Sequence, residues 1–173
     1  MSITSRIKNR LIAKVITRYP SLAQRFITAY KPWESGEAIP WTPTKKPLSD
    51  CTLAVVTTCG VHHTEQKPFD MQDSEGDPSF RAINGATIGS DYRITHDYYD
   101  HSDAEKDLNI VLPLDRLQEL QQEGIIGRLA STHYSFMGHI DGRHIATLIE
   151  QTAKQVVAKL RQDEVDVVLL TPA

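Results

Sequence analysis

The sequence predicts an α/β fold: an open, mostly parallel sheet with flanking helices in a Rossmann-like three-layer arrangement. Two runs and one helix carry that prediction. Cys51 to Thr58 is a compact, β-branched apolar run ending at Cys59-Gly60. Val165 to Thr171 is a second such run. Directly before it, Ile145, Leu148, Ile149, Thr152, Ala153, Val156, Val157 and Leu160 form one helical stripe. Strand, then helix, then strand is the grammar of an α/β domain.

In chain order, residues 1–31 read as a helical arm. Ile3, Ile7, Leu11, Val15 and Ile16 recur at helical spacing, with Arg6, Lys8, Arg10 and Lys14 between them. Pro20 opens a second short helix carrying Leu22, Phe26, Ile27 and Tyr30. Such an arm packs on its own domain or on a partner; a basic amphipathic helix also suits a membrane surface. Residues 32–50 are a linker. Pro32, Pro40, Pro43 and Pro47 prevent regular helix or central strand. Trp33 and Trp41 suggest that it lies against a surface.

Residues 51–173 form the α/β domain. After the first strand, His62 to Ser79 reads as polar loop. Phe80 to Ile83 and Asp91 to Thr95 read as short strands, and His96 to Asp107 as an acidic loop. Leu114 to Gln122 is a helix begun near Pro113 and stopped by Gly124. Thr132 to Phe136 suits a small strand. The last run, Val165 to Leu170, is of the kind covered on both faces in a parallel sheet. No residue follows Ala173, so the fold is expected to be incomplete at the C-terminus. The sheet's carboxyl edge is where open α/β folds place ligand and catalytic loops.

A net charge of -3 over 173 residues argues against a nucleic-acid binder, which needs a basic face. No apolar run approaches the roughly 18 residues of a membrane span, and Met1 to Arg10 lacks the pattern of a signal peptide. A cytoplasmic location follows as the default. The only cysteines are Cys51 and Cys59. With a strand between them they stand about 26 Å apart. A disulfide needs Cα atoms within about 7 Å, so they are expected to be free.

Cys59 is the one visible nucleophile at a strand end. Backbone amides in its turn can stabilise an anion. His62 or His63 nearby can lower the thiol pKa. Equally, Cys59 suits a small buried packing residue. His96, Asp97, Asp100, His101 and Asp103 have the composition of a metal cluster but match no zinc helix spacing. A solvated acidic loop is the simpler reading, with substrate or partner contact second, and no metal is expected. His133 suits either a hydrogen bond to a carboxylate or a core position. Asp77 and Arg81, four apart, suit an ion pair holding the loop, or Arg81 a carboxylate clamp.

Several segments, in order, resemble one family. They are Thr57-Thr58-Cys59-Gly60-Val61-His62, Pro68-Phe69-Asp70, Gly76-Asp77-Pro78-Ser79-Phe80-Arg81 and Thr95-His96-Asp97. Further along come Asp107-Leu108-Asn109 with Pro113-Leu114-Asp115-Arg116-Leu117, Tyr134-Ser135-Phe136-Met137-Gly138, and Val165-Asp166 with Leu169-Leu170-Thr171-Pro172. Together they resemble the selenoprotein B subunits of glycine, betaine, sarcosine and D-proline reductases, in particular the D-proline branch. Each segment alone is weak; the ordered set is specific.

The resemblance implies an oxidoreductase subunit that cleaves a C–N bond at the α-carbon of a small amino-acid substrate. It implies a selenocysteine or cysteine directly after Ala173, its UGA codon being ordinarily read as a stop. It implies a partner subunit carrying a pyruvoyl group, and a dithiol or thioredoxin-type reductant. No cofactor is expected covalently on this chain. Candidate catalytic residues are Cys59, His62 and His133. Candidate substrate-binding residues are Thr57, Thr58, Gly60, Arg81 and Ser135. Without the residue after Ala173 the chain is expected to lack its main nucleophile. Two other classes fit the same pattern: a non-catalytic binding or regulatory module, and a racemase-like enzyme using two thiols.

Overall fold

The computed structural model describes residues 3–27, 42–85 and 91–172. Helices α1 (Ile3–Arg18) and α2 (Pro20–Ile27) are followed by β1 (Thr52–Thr57), β2 (Val61–His63), β3 (Phe80–Asn84) and β4 (Tyr92–Ile94). Then come α3 (Leu114–Gln122), β5 (Arg128–Leu129), β6 (Thr132–Phe136), α4 (Arg143–Thr147), a π-turn at Leu148–Thr152, α5 (Ala153–Gln162) and β7 (Val167–Thr171). Tyr30, Trp33 and Trp41 lie outside the described residues.

β1 is the centre of the sheet, as its apolar run predicts. It pairs in parallel with β7 from Leu53 to Thr57 and, on its other side, with β5 near its start and β6 near its end. β3 then pairs antiparallel with β6. The sheet is therefore mostly parallel, with helices on both faces. Alternation along β1 divides the core. Leu53 and Val55 face α3 and the 99–112 loop, joining Ile83, Leu112, Leu114 and Leu117. Ala54 faces α5, joining Tyr134, Phe136, Val156 and Leu160. Burying each such aliphatic side chain contributes about 1.5–3 kcal/mol before entropy is counted. β2 and β4 form a separate antiparallel ribbon.

Four expectations change. First, Val61–His63 is a strand, because its backbone pairs with Tyr92–Ile94 far along the chain. Second, β7 is not covered on both faces. Among the described residues it pairs only with β1, and Leu170 is 70% exposed. Val167 and Leu169 pack on the α3-side core, but α5 does not extend over the other face of β7. Third, the stripe before β7 is not one regular helix. The π-turn shifts its phase, leaving Ile149 and Val157 exposed while Val156 and Leu160 go inward. Fourth, the apolar stripe of α1 faces out, with Ile3, Ile7, Leu11 and Val15 all exposed. Ala13 is its buried residue, and the helix reaches the body through Arg6 and Arg10. Among the described residues, no helix is long and apolar enough to cross a membrane.

Candidate active site

The carboxyl ends of β1, β6 and β7 meet at the turn Thr57-Thr58-Cys59-Gly60. Three backbone bonds stitch it in place. Thr58 N–H donates to Thr171 O (3.0 Å), Gly60 N–H to Phe136 O (2.9 Å), and Thr95 N–H to Gly60 O (2.9 Å). Cys59 N–H donates to the hydroxyl of Thr57 at 3.2 Å. Gly60 has φ +72, and a Cβ there would stand 2.5 Å from Thr95 O, so only glycine lets the loop approach this closely.

This geometry corrects one expectation. The amides of Thr58, Cys59 and Gly60 are each already donated within the protein, so they do not form an open anion nest. Cys59 itself is fully buried and free. Its S–H donates to Pro172 O at 3.3 Å, tying the tip of β7 to the turn. Burial pushes the thiol pKa up, against weaker opposing hydrogen bonds from Thr57 and Tyr99. The expected help from histidine is not found. His62 donates or accepts through Nε2 at Thr95 Oγ1 (2.9 Å) and through Nδ1 at His63 O (2.8 Å). Burial lowers the pKa of His62 and favours its neutral form. His63 stacks on Tyr92 and accepts from Asn84 N–H. Cys51 lies at the other end of β1 with Sγ on Pro47 O, so the two cysteines do not share a cleft.

The 95–101 loop covers this turn. The expected solvated acidic loop is found only in part: His96 and Asp97 are 3% and 1% exposed, whereas Asp103, Glu105 and Asp107 further along are exposed. Asp97 accepts from Arg6 Nε (2.5 Å) and Arg10 Nε (2.6 Å) of α1. Burial raises its carboxyl pKa, but the two guanidinium groups outweigh that and hold it below the usual value. Tyr99 donates its hydroxyl to Cys59 O at 3.1 Å. His101 Nε2 meets His96 O at 3.1 Å and its Nδ1 meets Glu105. His96 Nδ1 accepts from Tyr98 N–H at 3.1 Å. The ring proton of neutral His96 therefore sits on Nε2, which is buried and has no partner among the described residues. Burial drives the His96 pKa down to about 4.

Of the remaining candidates, Ser135 is buried beside Thr57 in the β1–β6 register. Arg81 is committed elsewhere. It donates to Lys67 O, Pro68 O, Phe80 O and Ser79 Oγ, pairs with Asp77 at 3.7 Å, and lies 4.2 Å over the Phe69 ring. The expected Asp77–Arg81 pair is thus present, and it lines a surface cavity of about 540 Å³ with Asp70, Asp73 and His144. His133 is wholly buried within the sheet. Its Nδ1 accepts from Val55 N–H at 3.0 Å, supplying the acceptor that β1 lacks between β5 and β6. Its Nε2 is also unpartnered among the described residues and points toward Gly85, at the rim of a cavity of about 280 Å³ lined by Gln118, Gln121 and Gln122.

No set from the His96–Asp103 run brings three ligand atoms together among the described residues. The group that does is Asp73, Glu75 and His144. There Arg143 already spans both carboxylates.

Sequence reasoning brought Thr57, Thr58, Cys59, Gly60 and Ser135 to one place. It missed Gly138 and Tyr99 as neighbours of that turn, and His96 as a buried donor. Both Thr95-His96-Asp97 and Tyr134 to Gly138 were visible as motifs. Their role was not, because it depends on Gly138 approaching Thr58 and on the arm reaching Asp97.

Fold and site define an α/β protein whose candidate site, the Thr57–Gly60 turn, lies at the carboxyl end of a mostly parallel sheet. Residues 6–173 match the model of the glycine/sarcosine/betaine reductase selenoprotein B family, and the chain belongs to that family. It is 39% identical over 131 residues to the D-proline reductase subunit gamma of Acetoanaerobium sticklandii, covering 76% of this chain and 52% of that protein. It is 30% identical over 149 residues to the glycine reductase complex component B subunit gamma of Symbiobacterium thermophilum, covering 84% and 34%. It is 32% identical over 128 residues to the betaine reductase complex component B subunit beta of Peptoclostridium acidaminophilum, covering 73% and 29%. The chain thus spans about half the length of the first relative and about a third of the others. No solved structure matches.

Proposed function

We propose that this chain is part of a reductase subunit that cleaves a C–N bond at the α-carbon of D-proline, glycine, sarcosine or betaine. The observation that carries this reading is the meeting of Cys59 and Pro172 at 3.3 Å, at the joint carboxyl ends of β1 and β7, in a chain of this family. A pyruvoyl group on a partner subunit would supply electron withdrawal at the α-carbon, and a selenocysteine or cysteine would supply the nucleophile.

This chain's own residues shape the wall behind that chemistry. Thr57, Gly60 and Tyr99 hold the turn. Cys59, kept protonated by burial, pins the tip of β7 and fixes its direction. Electrons come from outside as a dithiol, which ends as a disulfide while the substrate gains two electrons and two protons.

The test is a complex of this protein with its partner subunits, supplied with each of the four substrates and dithiothreitol. Reductant-dependent cleavage of the Cα–N bond of at least one substrate is expected, read as a released amine from glycine, sarcosine or betaine and as ring opening of D-proline. Cleavage of none, or deuterium exchange at the α-carbon without reductant, would sink the proposal. Cys59→Ser should retain most of the activity, since a hydroxyl can make the same contact to Pro172 O.

A further inference from the structure

The arm carries a surface that its own fold does not use. Residues 3–27 hold six Lys or Arg and no Asp or Glu, while the whole chain stands at -3, so the remainder stands at -9. Arm and body are of opposite sign, and the inner side of α1 uses that. Arg6 and Arg10 meet Asp97 there, Arg6 also feels the charge of Asp70, and Lys14 that of Asp100. On the outer side Ile7, Leu11 and Val15 follow at every fourth residue and are 55%, 58% and 46% exposed. Residues four apart share a helix face, so these three make one apolar stripe. Exposed cations border it: Lys8 and Lys14 each lie three residues from Leu11, and Arg18 lies three from Val15. All three apolar residues fall within the part of the chain that the family model matches.

Three covers suit such a stripe, and charge separates them. An anionic membrane attracts the arm but repels a body at -9. A second copy packed stripe against stripe brings Lys8, Lys14 and Arg18 against the same three cations. An acidic partner surface meets stripe and border without either conflict. Position favours the same cover. The inner side of α1 clasps the 95–101 loop, and Tyr99 of that loop holds the Cys59 turn. The outer side stands one helix diameter farther out, about 10–12 Å. A subunit seated there is beside the carboxyl edge of β1 and β7.

We propose that the outer face of α1 is the docking surface for the partner subunit, which meets it with an apolar strip rimmed by Asp or Glu. This rests on the functional reading above, in which a group on that subunit must come to this edge. It deepens that reading by naming the surface that brings the two together.

The experiment uses the full-length protein and the pyruvoyl-bearing subunit of its own complex, with the dissociation constant read by titration. Leu11→Glu should weaken binding about 30-fold or more, as for a residue at the centre of an interface. Lys8→Glu with Arg18→Glu should weaken it about 5-fold, and only at low salt. Ile110→Glu, an exposed apolar position away from the arm, should leave it unchanged. Without the partner, Leu11→Glu should melt within about 2 °C of wild type, because the stripe is exposed. A much lower melting temperature would mean that the stripe is covered by its own chain, and overturns the inference. So does unchanged partner binding in folded Leu11→Glu while the wild-type complex still reduces a substrate, which leaves the reductase reading intact. Loss of attachment to phosphatidylserine vesicles, or of self-association, in that variant would then identify the cover as membrane or second copy. A wild-type protein that neither binds the subunit nor reduces any of the four substrates with it overturns the reading itself, and this inference with it.

Discussion

His96 and His133 occupy different regions but share one local design. In each, Nδ1 accepts a backbone N–H, from Tyr98 and Val55 respectively. In each, Nε2 is buried, lacks a partner among the described residues, and faces a glycine: Gly138 or Gly85. Burial drives both pKa values down to about 4. What differs is the support. His133 is built into the middle of the sheet, where its ring replaces a strand carbonyl. His96 rides on a loop held from outside by α1, beneath an exposed glycine at the carboxyl edge. The same buried imidazole thus completes a strand's hydrogen bonding in one region and braces a loop clasped by the arm in the other. The neighbours decide which.

The largest expected effect tests the support of the His96 region. Arg6→Gln with Arg10→Gln strips the buried Asp97 of the two ion pairs the structure shows for it. Asp97 is buried but its arginine partners are partly exposed, so the loss lies at the low end of that for a buried pair, about 3 kcal/mol, and urea unfolding should show it. Amide exchange should quicken around His96–Tyr99 and not around His133. A loss below about 1 kcal/mol would mean that α1 does not anchor the loop.

The next test separates the two rings directly. His133→Leu leaves Val55 N–H without an acceptor inside the sheet, at a cost of about 2–3 kcal/mol. His96→Leu orphans only the Tyr98 amide in a half-buried loop, for about 1 kcal/mol. Equal losses in urea unfolding would erase the distinction.

The last test concerns the pH response that the two share, spread over two pH units. Both folded pKa values, about 4, lie below the ordinary imidazole value of 6.5. Between those limits the unfolded chain binds the proton and the folded chain does not. Stability therefore falls as the solution is acidified through that window, by roughly 2 kcal/mol per ring between pH 7 and pH 5. His133→Gln should flatten the dependence of the melting temperature on pH by about half. An unchanged slope would show that His133 titrates freely in the folded protein.

Elements governed by local pattern were legible in the sequence. β1 follows from a β-branched run bounded by Cys51 and Gly60. Leu114–Gln122 follows from its stripe between Pro113 and Gly124, and the structure has the same limits. Elements that depend on distant partners were not legible in this way. Val61–His63 reads as loop because three residues carry too little periodicity, and only the pairing with β4 makes them a strand. His96 and Asp97 read as solvated because charge and polarity usually are. Asp97 is buried against Arg6 and Arg10, which lie 91 and 87 residues away, and His96 against Tyr99 and Gly138.

By itself, then, the sequence determined the α/β class, the central place of β1, and the turn at Cys59-Gly60 as a point of interest. These rest on periodicity, β-branching and glycine, which act over a few residues. Only the tertiary structure decided that the turn's amides are already occupied, that Cys59 is held protonated against Pro172, and that β7 lies at an edge. It alone brought His96 beneath Gly138 beside two arginines from the arm. Burial and charge pairing join residues far apart in the chain, and composition along the chain carries no record of which ones meet.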